Sequence, residues 1–156
     1  MTSSSGHLKA GTYTGIQSVG DILGGADADN YSFVGTVDDY TVSKLPITDT
    51  AIAPVATTYG TQVAAGNVSF GNIVIGDQVS ATASIVNPQT STSGNLKAGS
   101  YSQTASALSN TDADNYSFSG FTTATPNYSV AKLDLTGTIA GGSSIYGSPL
   151  SAGTAC

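Results

Sequence analysis

Asp27–Phe33 reads DADNYSF, and the same seven residues return unchanged at Asp112–Phe118. Around this pair the rest of the chain also matches itself. Gly6–Thr14 (GHLKAGTYT) returns as Gly94–Ser102 (GNLKAGSYS), Tyr40–Thr48 (YTVSKLPIT) as Tyr128–Thr136 (YSVAKLDLT), and Tyr59–Gly66 (YGTQVAAG) as Tyr146–Gly153 (YGSPLSAG). The separations of 88, 85, 88 and 87 residues define a repeat of about 88 residues with small changes in loop length. Every tyrosine falls into a pair: Tyr13/Tyr101, Tyr31/Tyr116, Tyr40/Tyr128 and Tyr59/Tyr146. So does every lysine, as Lys9/Lys97 and Lys44/Lys132. Paired tyrosines are expected to form a core, rings buried and hydroxyls reaching partners. The lysines are expected at solvated strand positions, where they guard sheet edges.

The phase of the repeat divides the chain into three. Residues 1–44 read as the C-terminal half of one unit, 45–132 as a complete unit, and 133–156 as the N-terminal part of a following one. A tandem array cut without regard to unit edges has this pattern. So does a chain whose two partial ends complete each other between molecules.

Composition points to an all-β fold. The 156 residues include 22 Ser, 21 Thr and 19 Gly, all ten acids are Asp, all four bases are Lys, and Glu, Arg and Trp are absent. Helix surfaces draw on Glu, Arg, Lys, Leu and Ala, most of which are scarce or missing here. Val68, Phe70 and Ile73–Ile75 form one strand run. Val79, Ala81, Ala83 and Ile85 alternate with polar residues, as do Tyr116/Phe118 and Tyr128/Val130, which is the period of a half-buried strand. Gly76-Asp77, Asn87-Pro88 and Pro126-Asn127 mark turns. Strands at this spacing predict an antiparallel β-sandwich in each repeat.

Charge and patterning exclude some functions. With a net charge of −6 and no Arg the chain has little to neutralise phosphates, so no nucleic acid is expected as a partner. No apolar run approaches the ~20 residues of a membrane span, and no membrane insertion is expected. The N-terminal MTSSSGHLKAG lacks the apolar stretch of a signal peptide. Cys156 has no second cysteine to pair with inside the chain and is read as a natural position, a handle or an intermolecular cross-link.

Read in order, Tyr59-Gly60, Gly76-Asp77-Gln78-Val79-Ser80, Asn95–Tyr101 (NLKAGSY), Asp112–Phe118 and Lys132–Thr136 (KLDLT), with Gly24–Tyr31 (GGADADNY) the most distinctive, resemble the MBG and YDG repeats. These are immunoglobulin-like, glycine-rich modules found in tandem in large secreted bacterial adhesins of the filamentous-haemagglutinin type. Where that family carries Tyr-Asp-Gly or Tyr-Gly-Asp, this chain has Tyr59-Gly60-Thr61 and Tyr146-Gly147-Ser148. The resemblance implies a non-catalytic stalk or spacer, extracellular or at the cell surface. Its partners would be neighbouring repeats or like subunits, with host or matrix surfaces met through other parts of the parent protein.

Two other functions stay open at this point. One is a self-assembling extracellular filament, in which 133–156 of one chain adds strands beside 1–44 of the next. The other is a carbohydrate-binding module, which requires tyrosine rings exposed on a flat face.

Catalysis has little to draw on. His7 aligns with Asn95, so the repeat does not need an imidazole there, and no base stands ready to activate the many hydroxyls. The metal candidates are Asp27, Asp29 and Asn30 with their copies Asp112, Asp114 and Asn115, hard oxygen donors suited to Ca²⁺. An EF-hand loop would need Gly and Glu where Ser32 and Asp38, or Ser117 and Thr123, stand. The favoured reading is a turn in which Asp and Asn hydrogen-bond their own backbone before a strand at Tyr31 or Tyr116. Cofactors are otherwise expected to be none. An isopeptide cross-link between Lys44 or Lys132 and Asn30 or Asn115 would require a buried pair beside an acid.

Overall fold

The computed structural model describes residues 1–149. Strands β1 (Gly11–Val19) and β2 (Thr36–Val42) form an antiparallel pair. The chain then runs through β3 (Leu45–Pro46), β4 (Thr50–Ile52), β5 (Val55–Thr58) and β6 (Val68–Phe70). Next come β7 (Ser80–Ala81), β8 (Ser84–Ile85), β9 (Gly99–Tyr101) and β10 (Gln103–Ala105). Last are β11 (Leu108–Ser109), β12 (Tyr116–Ser117), β13 (Phe121–Thr122) and β14 (Tyr128–Ala131). Among the described residues, helical structure is confined to two 3-10 turns, Ala28–Asn30 and Ala113–Asn115. The fold is all-β.

The strands do not assemble into two broad antiparallel sheets. They form small sheets of two or three strands, and two of the pairings, β3 with β12 and β5 with β14, are parallel. Turn residues keep the strands short. Pro54, without an N–H to donate, separates β4 from β5, and Gly76 (φ +97°) and Asn87 (φ +48°) turn the chain where the sequence marks turns. The expected run Ile73–Ile75 is not a strand: it leads into a turn closed by Asp77 N–H on the Val74 carbonyl, 3.0 Å. The alternation at 79–85 is present in burial, but β7 and β8 within it pair with different strands, β11 and β10.

β14 is the centre of the complete unit, flanked by β9 on one edge and β5 on the other. The chain passes from β9 to β10 across Ser102 and so enters a second sheet, where β10 lies between β13 and β8. Ile52, Ala105, Tyr116, Tyr128 and Val130 form the buried apolar core. Phe70 and Phe118 meet edge to face, 5.7 Å between centroids.

A core this small is completed by polar groups. The Gln103 side chain is fully buried. Its Oε1 accepts the Gly66 N–H (2.6 Å), and its Nε2 donates to the Ala53 carbonyl (3.0 Å) and to Asn127 Oδ1 (2.8 Å). Asn127 Nδ2 donates in turn to the Ile52 carbonyl (2.9 Å). Gly66 has to be glycine, because a Cβ there would overlap the Ala53 carbonyl.

The repeat is visible in the backbone. β1 pairs with β2 so that Tyr13 faces Tyr40 and Gly11 faces Val42, and β9 pairs with β14 so that Tyr101 faces Tyr128 and Gly99 faces Val130. The burial differs sharply. Tyr128 is 2% exposed and its hydroxyl donates to the Val63 carbonyl (2.7 Å), whereas Tyr40 is 45% exposed. Tyr116 is 3% exposed and Tyr31 is 72%. Tyr59 and Tyr101 are half-buried. The expectation of buried tyrosines therefore holds for Tyr116 and Tyr128 and fails for Tyr31, Tyr40 and Tyr146, which no described residue covers. Cys156 and the end of the Tyr146–Gly153 match lie outside the described residues.

Gln103→Leu strands the Gly66 N–H and the Asn127 amide in the core. It is expected to cost about 3 kcal/mol in urea unfolding, within the range for unpaired buried polar groups. Tyr128→Phe is expected to cost about 1 kcal/mol and Tyr40→Phe nothing measurable.

Candidate functional site

The most elaborate polar assembly lies where the N-terminal segment meets the complete unit. Residues 1–9 form a closed turn. Ser3 N–H donates to the His7 carbonyl (2.8 Å), Gly6 N–H to the Ser3 carbonyl (3.0 Å) and Lys9 N–H to the Met1 carbonyl (3.2 Å). The Tyr13 hydroxyl braces it on the Lys9 carbonyl (2.8 Å). Its tip therefore presents backbone N–H groups outward.

Three acids and amides of the complete unit take those donors. Ser4 N–H donates to Asp112 Oδ1 (3.2 Å), Ser5 N–H to Asp77 Oδ1 (3.2 Å) and Ala10 N–H to Asn115 Oδ1 (3.0 Å). Asp112 Oδ2 accepts the Gln78 N–H (2.9 Å), so each oxygen of this fully buried carboxylate is bonded to a different part of the chain. Asp77 Oδ2 accepts the Tyr116 hydroxyl (2.7 Å), and the Val74 N–H donates to that same hydroxyl oxygen (3.0 Å). Lys9 Nζ stands 4.0 Å from Asp112 Oδ1, too far and too exposed to add much.

These contacts set the charge states. The Gln78 N–H, then the Ser4 hydroxyl, hold the Asp112 carboxyl below its ordinary range against the opposing effect of burial. At Asp77 burial pushes the other way, yet hydrogen bonds from Ser5, Tyr116 and Ser3 bring it down to about 2. Burial, and then the bond to Asp77, push the Tyr116 phenol up. Both acids are thus carboxylates at neutral pH, which is the state that accepts N–H donors.

The sequence candidates separate into two groups. Asp112 and Asn115 are spent on the joint, and Asp114 is exposed beside them. Asp27, Asp29 and Asn30 are all exposed. Among the described residues, no three His, Cys, Asp or Glu side chains gather around one point.

The expected turn is present in both copies with nearly the same backbone: Asp27 at φ −104°, ψ 10° and Asp112 at φ −108°, ψ 7°. Its side-chain role is different from the one expected. Neither Asp caps its own turn; Asp112 reaches across the fold instead. A strand follows at Tyr116 but not at Tyr31. His7 Nδ1 and Asn95 Nδ2 each bond the serine two residues earlier, Ser5 Oγ (2.8 Å) and Ser93 Oγ (3.2 Å), so the imidazole does what the amide does. Lys44 and Lys132 are both exposed, which is not the buried setting an isopeptide bond requires.

The chain matches no protein-family model, no curated protein and no solved structure. Asp77 was not among the sequence candidates. Its signal was the Gly76-Asp77 turn, which carries no hint that a tyrosine hydroxyl and a distant serine amide converge on it.

The depressed value at Asp77 gives a pH dependence. Its contribution to stability is fully present above the ordinary carboxyl value of 3.8 and is lost as pH falls through about 2. The melting temperature of the chain is expected to drop between about pH 4 and pH 2, and Asp77→Asn to flatten that drop while lowering the melting temperature at pH 7.

Proposed function

We propose that this chain is a stretch of a tandem structural array, a non-catalytic stalk or spacer of immunoglobulin-like repeats from a bacterial extracellular adhesin. The observation that carries this reading is the joint. A turn belonging to one repeat is gripped by Asp77, Asp112 and Asn115 of the next, through contacts that fix one unit against its neighbour. Such a joint turns flexibly linked modules into a braced rod, which is what holding a distal binding element away from a surface requires. The Ser- and Thr-rich, sparsely charged surface suits a hydrated stalk, and the resemblance to MBG and YDG repeats points the same way.

A second reading is a filament of like subunits joined by strand addition. It is favoured by β2, whose outer edge carries no strand among the described residues, although β14, its counterpart, has β5 there. Residues 142–145 are the sequence counterparts of β5. They lie outside any strand, between the exposed Ile139 and Tyr146. Sedimentation under reducing conditions separates the two readings: a filament predicts assembly that grows with concentration.

The array reading is tested by lengthening the chain with further copies of residues 70–156, which continue the repeat after Cys156. Small-angle scattering is expected to show the maximum dimension rising by a constant increment per copy. Stretching a single molecule is expected to release about 300 Å per repeat, the extended length of about 88 residues. Copies that collapse together with no regular increment would refute the spacer function.

A further inference from the structure

The joint between residues 1–10 and the complete unit is made once within the chain, and its turn and its Asp112–Asn115 acceptors each occur a second time. The second turn, residues 89–97, has the bonding of the first. Ser91 N–H donates to the Asn95 carbonyl (2.8 Å), Gly94 N–H to the Ser91 carbonyl (2.9 Å) and Lys97 N–H to the Gln89 carbonyl (2.8 Å). The Tyr101 hydroxyl braces it on the Lys97 carbonyl (2.8 Å), as Tyr13 does on Lys9. The bridges Thr2–Leu8 and Thr90–Leu96 are equivalent.

In the first turn the outward N–H groups of Ser4 and Ala10 meet Asp112 and Asn115. Their counterparts in the second turn, Thr92 and Ala98, are exposed and donate to no described residue. Lys97 stands exposed where Lys9 approaches Asp112. The matching acceptors are exposed as well: Asp27 and Asn30 sit on a 3-10 turn with the backbone of the Asp112–Asn115 turn.

We infer that the turn formed by residues 89–98 is a carboxylate-recognising clasp whose partner is the Asp27–Asn30 turn of a second copy of this chain. Thr92 N–H donates to the Asp27 carboxylate and Ala98 N–H to Asn30 Oδ1, with the Lys97 ammonium near the carboxylate, reproducing the geometry of the internal joint. The N–H on the carboxylate makes a charge-assisted bond with a fixed direction, and the N–H on the neighbouring asparagine amide fixes the register beside it. The same head-to-tail placement brings residues 142–145 of the first copy alongside the open edge of β2 in the second, as β5 lies beside β14. The second copy supplies no counterpart of Asp77 or Gln78, so the contact is weaker than the internal one.

This inference rests on the repeat reading, and it is tested on the full chain, ¹⁵N-labelled and kept reduced so that Cys156 cannot cross-link. Raising the concentration into the millimolar range is expected to shift the Thr92 and Ala98 amide signals in a saturable way, while the Ser4 and Ala10 signals stay fixed. Asp27→Ala, an exposed change that leaves the fold intact by circular dichroism, is expected to weaken the association by about tenfold or more. Lys97→Ala is expected to weaken it less. Thr92 and Ala98 signals that stay still, or that shift equally in Asp27→Ala, overturn the clasp. Regular growth of lengthened chains in scattering would leave the array standing in that case, so the two failures are distinguishable.

Discussion

The buried carboxylate of Asp112 is the constraint on which the rest of the molecule depends. An ionised acid cut off from water is tolerated only if its oxygens are bonded, and here the donors come from Gln78 and Ser4, 34 and 108 residues away in sequence. The loop at 76–78, the 3-10 turn at 113–115 and the N-terminal turn must therefore all be in place together. Beside it, Asp77 draws in Ser5, Tyr116 and Val74. A fold with few buried apolar side chains gains its definition from such saturated networks, and no buried side-chain polar atom lacks a partner among the described residues.

The repeat and the all-β class were legible in the sequence because they reside in short-range pattern. Recurrence of DADNYSF foretold two turns of the same backbone. Alternation at 79–85 foretold which residues face inward, and Gly76 and Asn87 turn the chain where composition placed turns, whereas Asn127 of the expected Pro126-Asn127 turn serves the Gln103 network instead. Pairing was not legible. Strand runs give no hint that β5 joins β14 in parallel or that β7 and β8 part company, because partner choice depends on contacts far apart in sequence. The roles of Asp112 and Asn115 were missed for a related reason. Their short-range grammar is that of a self-capping turn, and only the folded chain brings an outside N–H to them. Gln103, the most enclosed polar side chain of the core, lies in a bland Ser-Gln-Thr run with nothing to set it apart.

The contrast between equivalent tyrosines shows what a repeat unit needs from its surroundings. Tyr40 and Tyr128 share register and backbone, yet one stands in solvent and the other lies in the core. The difference is the presence of β5 and the 59–66 segment over Tyr128. Half a unit supplies the correct strand pairing without the cover, so in this architecture hydrogen-bond register is local and burial is cooperative over the whole unit.

The parallel pairing of β5 with β14 sets how residues 45–132 would respond to a pull on their two ends. These strands lie near opposite ends of the complete unit and run in the same direction, so tension applied through the two ends draws them past each other along their length. The ladder from Val55–Tyr128 to Thr58–Ala131 is then loaded in shear, with its bonds sharing the force, whereas an antiparallel hairpin pulled from its open end would unzip one rung at a time.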